Sequence, residues 1–476
     1  MNIGTDAGFW EREFSGIQLG DLRLDSRLIK TIKLMADQPT ASINQSCGNW
    51  SQVKAAYRLF DNDRVDAEKI LGAHGESAMA RMINERIVLI IQDTSFLNYT
   101  EHFKTTGLGR IGCKNLKPTK EEARGLVVHT ALAVTPAGTP IGVLDQNVWM
   151  RDPKAPYTRR LRNRKRITVE NKESNKWLLG LDRSLRCVPE GVTAVTVCDR
   201  ESDLFEFIGH AEALSAKYLI RSSWSRVIRN AKGEEEYLRD HMKRASVVGT
   251  FEVKVAGQRI KKQKVLVDRI AKMELRFSCV ELRRPSKKKV NRTECPPYIK
   301  AYVIWVREVT PPKGEEPLDW MLLTNIATKN FAEAHEKVEW YRQRWHIETF
   351  HKTLKSGCNV EACRLQSSER LIRFLSVVSI IAWRLYWLTH MHREHPDESC
   401  SEVLQKHEWQ ALYCITKKTT KIPKQKPTAR DVTRWIAQLG GFLGRKSDGE
   451  PGIITVWRGW QRLTVLAEQW LILHPP

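Results

Sequence analysis

Two nearly continuous apolar runs stand out along the chain, and an aspartate follows each of them. Residues 87–91 lead to Asp93, and residues 194–198 lead directly to Asp199. Runs of this length and composition are typical of strands buried on both faces of a sheet. Functional residues on open sheets gather where such strands end. Both aspartates are therefore predicted to lie at strand ends, on an edge that can carry a site.

The pattern around these runs predicts how the strands are connected. Residues 126–135 and 140–149 have strand-like patterns separated by a Pro-Ala-Gly turn, which favours a hairpin. Residues 170–185 follow with the apolar spacing of a helix. The order strand, strand, strand, helix, strand predicts an α/β domain built on a mixed sheet. Residues 217–325 are rich in strand-like segments and are interpreted as an inserted β subdomain.

Helical spacing prevails on both sides of this α/β region. We predict a helical domain over residues 1–75, a central domain over 76–365 and a helical domain over 366–476. In the first domain, a capping Asp21 precedes one basic amphipathic helix, and residues 49–60 are predicted as a second. Their polar faces carry candidate DNA contacts, which are Arg23, Arg27, Lys54 and Arg58. The alternative is that these N-terminal helices only cover the central domain and bind no DNA, which explains the same pattern.

Four polar residues between positions 341 and 355 form the strongest candidate for chemistry. Tyr341, Arg344, Glu348 and Lys355 are separated by three, four and seven residues. On a single helix these steps place all four side chains on one face. A carboxylate between two cations suits a metal ligand beside a bound phosphate. An ordinary amphipathic helix with an Arg–Glu pair is the alternative.

Charge narrows the class of partner. The formal net charge is +23 and the pI is about 9.6, with basic clusters at residues 159–166, 283–289 and 417–426. Such an excess favours a polyanionic partner, most simply nucleic acid. No small-molecule substrate is indicated.

Other classes of protein are disfavoured by composition. The ten cysteines include no Cys-x-x-Cys pair, which argues against structural zinc and against a disulfide framework. The polar start predicts no secretory signal. The apolar segment 371–388 is interrupted by Arg373 and Arg384, so we expect it not to span a membrane. An intracellular protein is predicted.

Asp93, Asp199 and Glu348 together suggest metal-dependent chemistry. Three hard oxygen ligands without a Cys/His set suit Mg²⁺ or Mn²⁺. Two such ions can activate a hydroxyl and stabilise the leaving oxygen of a phosphodiester. On a basic chain this indicates phosphoryl transfer on nucleic acid. Asp203, which precedes Leu204 and Phe205, is predicted instead to cap the next helix.

The spacing of Tyr341, Arg344, Glu348 and Lys355 resembles the Y-R-E-K signature of bacterial DDE transposases of the insertion-sequence-four family. The segments around Asp93 and Asp199 are similar to that family's first and second aspartate segments, with Ser202 as a small departure. Further similar stretches are Leu19-Gly20-Asp21, Glu173-Ser174-Asn175-Lys176-Trp177 and Leu439-Gly440-Gly441-Phe442.

This resemblance implies a fold and a chemistry. The core would be RNase H-like with a β insertion before the catalytic glutamate. Asp93, Asp199 and Glu348 would bind two Mg²⁺ ions, for which Mn²⁺ can substitute, and Tyr341, Arg344 and Lys355 would complete the catalytic set. Family enzymes cut transposon ends through a hairpin intermediate and join the 3′ ends to target DNA.

The resemblance also implies partners. Double-stranded DNA, as terminal inverted repeats and as target, would be bound by Arg27 and Arg58 at the N-terminus. Trp320, Trp345 and Arg221 would lie near a flipped end base, although core packing explains both tryptophans equally well. The C-terminal helices would form a homodimer in the end-bound complex. A bacterial, cytoplasmic and nucleoid-associated protein is expected.

Two other functions remain compatible with these residues. A domesticated transposase or inhibitor would bind DNA ends without cutting, but the usual mark of such a protein, a lost acid or signature residue, is absent from this sequence. A structure-specific nuclease would need neither the N-terminal domain nor the helical tail. A cut-and-paste transposase is therefore the favoured prediction.

Overall fold

The computed structural model describes residues 8–111, 123–152, 172–255, 259–260, 264–265, 269–285, 295–312, 314–394, 396–402, 404–445 and 448–475. The predicted basic cluster 159–166 lies outside the described residues, as do positions 286–289 of the second cluster. The first two residues of the predicted helix 170–185 also lie outside them.

One large mixed sheet runs through the centre of the described chain. Its strands are β1 Ile87–Asn98, β2 Gly109–Arg110, β3 Arg124–Val134, β4 Pro140–Trp149, β5 Thr193–Cys198, β6 Lys217–Arg221, β7 Val227–Arg229, β8 Glu235–Tyr237, β9 Gly249–Val255, β12 Arg269–Arg283, β13 Tyr298–Glu308 and β14 Asp319–Thr324, while β10 Arg259–Ile260 and β11 Lys264–Val265 pair separately. The strand order is β2-β3-β1-β5-β6-β14-β13-β12-β7-β8, with β4 on β3 and β9 on β12.

The predicted mixed sheet is confirmed, because β1 is antiparallel to β3 and parallel to β5. The strands predicted within residues 217–325 continue this same sheet. β6 is parallel to β5 and antiparallel to β14, which then leads to β13 and β12. The insertion therefore shares its hydrogen-bond ladder with the central domain. A short helix in it, α8 Leu238–Arg244, has no counterpart in the sequence prediction.

Helices cover the N-terminal region as predicted. They are α1 Phe9–Glu13, α2 Leu22–Asp37, α3 Ile43–Cys47, α4 Trp50–Asp61 and α5 Ala67–Met82. The predicted cap at Asp21 is present, since the Arg23 amide donates to Asp21 Oδ1 (2.9 Å); Asn49, predicted as the first residue of the second helix, caps it instead, with its Oδ1 accepting from the Gln52 amide (3.0 Å). α5 continues past the predicted boundary at residue 75 because its apolar face packs on β4.

The remaining helices surround the other parts of the sheet. They are α6 Lys176–Leu185, α7 Phe205–Ala213, α9 Phe331–Arg342, α10 Trp345–Lys352, α11 Ser368–Glu394, α12 Lys406–Lys417, α13 Ala429–Leu439 and α14 Ile453–Leu473. α6 is the predicted crossover between β4 and β5. α12 was not predicted as a helix.

The long helix α11 lies in the core. By length and composition alone, its segment Ser368–His390 is apolar enough to cross a membrane. However, 83% of its most apolar stretch is buried within the protein, against α5 and β4 on one side and α13 on another. Its charges are accommodated there, since Arg373 pairs with Asp63 and Arg384 lies over the Phe9 ring. It is the core helix of a folded protein.

The prediction of one helix through residues 341–355 is wrong. α9 ends at Arg342, and the amides of Gln343, Arg344, His346 and Ile347 each bond to the carbonyl three residues earlier. This tightening to three residues per turn rotates the chain between Tyr341 and Glu348. After α10, residues 353–357 form one wide π-helical turn that carries Lys355. The four signature residues therefore do not share one helical face.

Candidate active site

Parallel pairing of β1 with β5 brings Asp93 beside Asp199. The last residues paired between the two strands are Gln92 and Cys198, so Asp93 and Asp199 are each the first residue beyond this pairing. Asp199 ends its strand as predicted. Asp93 does not, because β1 continues to Asn98 on its other edge and pairs Asp93 with Thr130 of β3. The site therefore lies where the parallel pairing of β1 with β5 ends, and this point is within β1 rather than at its last residue.

The carboxyl group of Asp93 is largely removed from water. Its Oδ1 accepts a hydrogen bond from the Thr94 amide at 2.7 Å. Burial, helped by the nearby charge of Asp199, raises the pKa of Asp93 to about 6 despite the lowering effects of the Thr94 amide and of Arg344. The raised pKa means that the positive charges around Asp93 do not compensate for the burial of its carboxylate.

Asp199 is held in the same way by its own turn. Its Oδ1 accepts from the Glu201 amide at 2.8 Å, which caps the short 3₁₀ turn Arg200–Ser202. Burial raises the pKa of Asp199, and the charge of Glu201 adds to this effect. Two desolvated carboxylates therefore stand side by side at the edge of the parallel strands.

Arg344 connects Glu348 to these aspartates. One guanidinium nitrogen lies 3.5 Å from Asp93 Oδ2 and another donates to Glu348 Oε1 at 2.5 Å. Burial lowers the pKa of Arg344, but the hydrogen bond to Glu348 and the charges of Tyr341, Glu348 and Asp93 together outweigh this effect, and the pKa is raised. The predicted Arg–Glu pair is thus present, and its guanidinium reaches across to the first aspartate.

Tyr341, Arg221 and Trp320 form a second layer next to the acids. Tyr341 is buried, and its ring meets Trp320 edge-on with 6.1 Å between centroids. Burial raises the pKa of Tyr341, although the charges of Arg344 and Arg221 oppose the shift. The phenol therefore stays protonated at neutral pH and can donate a hydrogen bond. Arg221 also donates to the Asp319 carbonyl at 2.8 Å.

The other predicted site residues occupy different environments. Trp345 is 61% exposed, so core packing does not explain it, whereas Trp320 is partly buried against the core. Lys355 is half-buried on its π-helical turn and pairs with no carboxylate in the described part of the chain. Its charge lowers the pKa of the neighbouring His351.

The predicted DNA contacts in the N-terminal region lie on its surface. Arg27, Lys54 and Arg58 are exposed. Arg23 is also exposed and its Nε lies 3.3 Å from Asp21, a contact that water and salt weaken. Trp50, 76% exposed at the start of α4, accompanies them. A basic and aromatic surface of this kind can meet a phosphate backbone.

Lys176 is a site residue that the sequence did not reveal. It is buried at the start of α6, its Nζ lies 3.2 Å from Glu201 Oε2, and its charge lowers the pKa of Asp199. It belongs to a stretch that resembles the transposase family, but no spacing rule connects it to an aspartate 23 residues later. Only the packing of α6 on the sheet, against β4, β3 and β1, brings the two together.

His129 also escaped the sequence analysis. It is buried on β3 and its ring nitrogens lie 2.9 Å from Thr94 Oγ1 and 3.0 Å from the Gln92 side-chain amide. Burial holds the pKa of His129 well below its usual value, so the ring is neutral. It contacts the side chains of the residues on both sides of Asp93.

Asp203 does not have its predicted role. The residue that caps α7 is Leu204, which makes no side-chain cap. Asp203 is buried and instead accepts hydrogen bonds from the loop after β6, while pairing with Arg226. The prediction failed because local sequence suggests a cap and cannot show a partner 23 residues away.

A metal at this site agrees with the chemistry of its donors. The groups of Asp93, Asp199 and Glu348 supply hard oxygens, and the raised pKa values of both aspartates indicate a need for positive charge. Among the described residues, no three acidic, His or Cys side chains are close enough together to hold an ion as they stand. Arg344 lies between the acids and balances part of their charge.

Comparison with protein-family models gives three matches. Residues 6–65 match a transposase DNA-binding domain, residues 166–384 a transposase DDE domain and residues 380–471 the Tn5 transposase dimerisation domain. The DDE domain implies an RNase H-like core, in agreement with the mixed sheet and its helices. Asp199 and Glu348 fall within that match, whereas Asp93 lies before it.

Proposed function

We propose that this chain, a DDE transposase by its three matched domains, cuts DNA at transposon ends and joins them to a target. Its DNA-binding and dimerisation domains make DNA and a second copy of the chain its partners. Membership of the insertion-sequence-four family, a cytoplasmic, nucleoid-associated location, and domain limits at residues 75 and 365 belong to the same proposal. The observation that carries it is the parallel pairing of β1 and β5, which sets Asp93 beside Asp199.

In this proposal Asp93, Asp199 and Glu348 hold the divalent metal that the family requires. A pair of Mg²⁺ or Mn²⁺ ions would supply the activation of a hydroxyl and the stabilisation of the leaving oxygen. Arg344 bridges Glu348 and Asp93 and partly neutralises their charge in the free protein. The protonated Tyr341 phenol and the Lys355 ammonium are suited to contact phosphate oxygens.

The proposed reaction has four phosphoryl transfers at each end. Water first attacks the phosphodiester and releases a 3′-hydroxyl. That hydroxyl attacks the opposite strand and closes a hairpin, which a second water reopens. The 3′-hydroxyl then attacks target DNA. Arg221, Trp320 and Trp345 are proposed to contact the DNA end during these steps, and Arg23, Arg27, Lys54 and Arg58 to hold the terminal repeat.

Cleavage of a linear DNA that carries the element's own inverted repeats tests the proposal. With Mg²⁺, the parent protein is expected to release hairpin-ended fragments, and Glu348→Ala is expected to lower the rate by at least about 1000-fold because it removes one of three metal-binding carboxylates. Gel analysis under denaturing conditions distinguishes hairpins from open ends. Glu212→Ala, which removes an exposed carboxylate of α7, is the matched control and should cleave normally.

Each other result supports a different function or a different site for this protein. Open double-strand breaks without hairpins indicate a nuclease. Specific binding without cleavage by the parent indicates an end-binding protein or inhibitor. Cleavage that persists in Glu348→Ala removes Glu348 from the site.

A further inference from the structure

The loop that follows β6 presents an exposed aromatic ring. Trp224 is 63% exposed and lies three residues after Arg221. Within the described part of the chain its ring stacks on no other ring and on no cation. Large aromatic side chains left open to water on an ordered surface are typical of binding positions.

This loop is ordered by its own hydrogen bonds. The amides of Ser223 and Trp224 both donate to Asp203 Oδ2, at 2.8 and 3.2 Å. The Trp224 carbonyl accepts from the Arg226 amide at 3.0 Å and from Ser222 Oγ at 3.2 Å. Both backbone groups of Trp224 are therefore bonded, and the exposed ring extends from a fixed backbone.

A buried ion pair stabilises the anchor of the loop. Arg226 Nε lies 3.0 Å from Asp203 Oδ1, and its terminal nitrogen donates to the Asp203 carbonyl at 2.8 Å. Both side chains are buried. A further bond from the Ser222 amide to the Met321 carbonyl at 2.7 Å ties the loop to β14. A loop held by this many hydrogen bonds loses little conformational entropy when a ligand stacks on it.

The anchor connects Trp224 to the acids of the site. Asp203 follows Asp199 by one short turn, Arg200–Ser202, so the same turn carries a site carboxylate and the support of the loop. Arg200 is exposed on this turn. Burial lowers the pKa of Arg221, and the positive charge of Arg200 contributes to the same shift. An exposed cation on the turn that anchors the loop, together with an exposed indole, favours a nucleic acid over an apolar protein surface.

We propose that Trp224 is a stacking surface for an unpaired base of the DNA bound at this active site, and that the Asp203–Arg226 pair positions it. This inference rests on the proposed function and adds a base contact that the signature residues do not include. Stacking on an aromatic ring stabilises an unstacked base whatever its sequence. Trp224 is therefore expected to add affinity for opened or frayed DNA near the cut.

The test measures binding without cleavage. Full-length protein carrying Glu348→Gln is titrated with a terminal-repeat oligonucleotide that has unpaired bases beside the cut and 2-aminopurine at successive positions among them. Adding Trp224→Ala is expected to weaken binding about 5- to 100-fold, to leave the salt dependence unchanged, and to abolish the fluorescence change at one position. Trp224→Phe should restore most of the binding. Phe103→Ala, which removes another exposed ring, should bind as the parent does.

The results separate this inference from the proposed function. Unchanged binding and fluorescence in Trp224→Ala overturn the stacking surface, even if the parent protein cleaves DNA. Weakened binding in Trp224→Ala supports it, even if the parent fails to cleave. An equal loss in Phe103→Ala shows a general surface effect, and a loss of dimer in sedimentation assigns Trp224 to a subunit contact; either result also overturns it.

Discussion

At the scale of single residues, buried carboxylates take their roles from partners that are distant in sequence. Asp93 and Asp199 have raised pKa values because burial is not matched by enough positive charge. Asp203 is more deeply buried but is paired with Arg226. The first two suit a site that recruits a cation, whereas the third suits a structural support.

The Asp203–Arg226 pair leads to a stability prediction. Asp203→Asn keeps the shape of the side chain but leaves the buried guanidinium unpaired, so we expect a loss of about 3–5 kcal/mol in the free energy of unfolding. Urea denaturation followed by circular dichroism measures it.

The control is an exposed pair in the same region. Asp240 lies 2.9 Å from Lys243 with more than half of each side chain exposed, so Asp240→Asn is expected to cost less than about 1 kcal/mol. Equal losses in the two variants would contradict the structural role of Asp203.

At the scale of elements, two close approaches decide the geometry of the C-terminal helices. A Cβ atom built on Gly459 of α14 would lie 1.6 Å from the Ile436 carbonyl oxygen of α13, and one on Gly440 would lie 1.8 Å from the Thr455 carbonyl oxygen. Only glycine allows the two helices to meet this closely. These contacts involve backbone atoms, which cannot move aside as a flexible side chain can.

Gly459→Ala is therefore expected to force α13 and α14 apart, at a cost of about 1–3 kcal/mol or more, because the added methyl group overpacks the contact. Thermal unfolding and the dimer content in sedimentation are the measurements. Gly72→Ala serves as the control, since a Cβ there meets nothing within 4 Å on α5; it should leave stability unchanged or raise it by up to about 1 kcal/mol. A normal melting profile for Gly459→Ala would show that the helices are not closely packed in solution.

The break between α9 and α10 is another property of elements that the sequence concealed. Apolar positions continue at helical spacing through residues 341–354, so periodicity predicts one helix. The chain instead tightens at residue 343 and widens after residue 352. The local sequence pattern does not predict such changes of helical pitch, because they depend on the tertiary contacts of residues such as Tyr341 and Glu348.

At the scale of the whole molecule, three carboxylates lie near one another where N-terminal and C-terminal helices meet. Burial raises the pKa of Asp37 on α2 to about 6, and the charge of Glu468 on α14 adds to the shift. Burial and the charge of Asp37 raise the pKa of Glu408 on α12 to about 7. Lys33 and Arg384 oppose these shifts without cancelling them.

These shifts predict how stability depends on pH. A carboxyl group whose pKa is raised in the folded state binds its proton more tightly there than in the unfolded chain. The folded state therefore loses stability as pH rises from about 4 to about 7 through these groups. Glu408→Gln keeps the hydrogen bond from the Gln405 amide and removes the charge, so it should stabilise the protein at pH 8 by about 1–3 kcal/mol and change little at pH 4.

Thermal unfolding of both proteins at pH 4, 6 and 8 tests this expectation. Glu212→Gln, which changes an exposed carboxylate, is the control and should show no pH-dependent difference from the parent. A stabilisation by Glu408→Gln that is the same at every pH would show that Glu408 is not the titrating group.

The sequence by itself determined the helical flanks, the strands of the mixed sheet and the identity of the candidate acids. These features follow from local patterns: apolar runs mark buried strands, a capping aspartate marks the start of α2, and spacing marks the Arg344–Glu348 pair. The tertiary structure alone decided that Arg344 reaches Asp93, that Lys176 supports Asp199, and that Asp203 anchors the loop of Trp224. Those contacts join residues from different elements, and the free energy of burying a charge depends on neighbours that only the folded chain assembles.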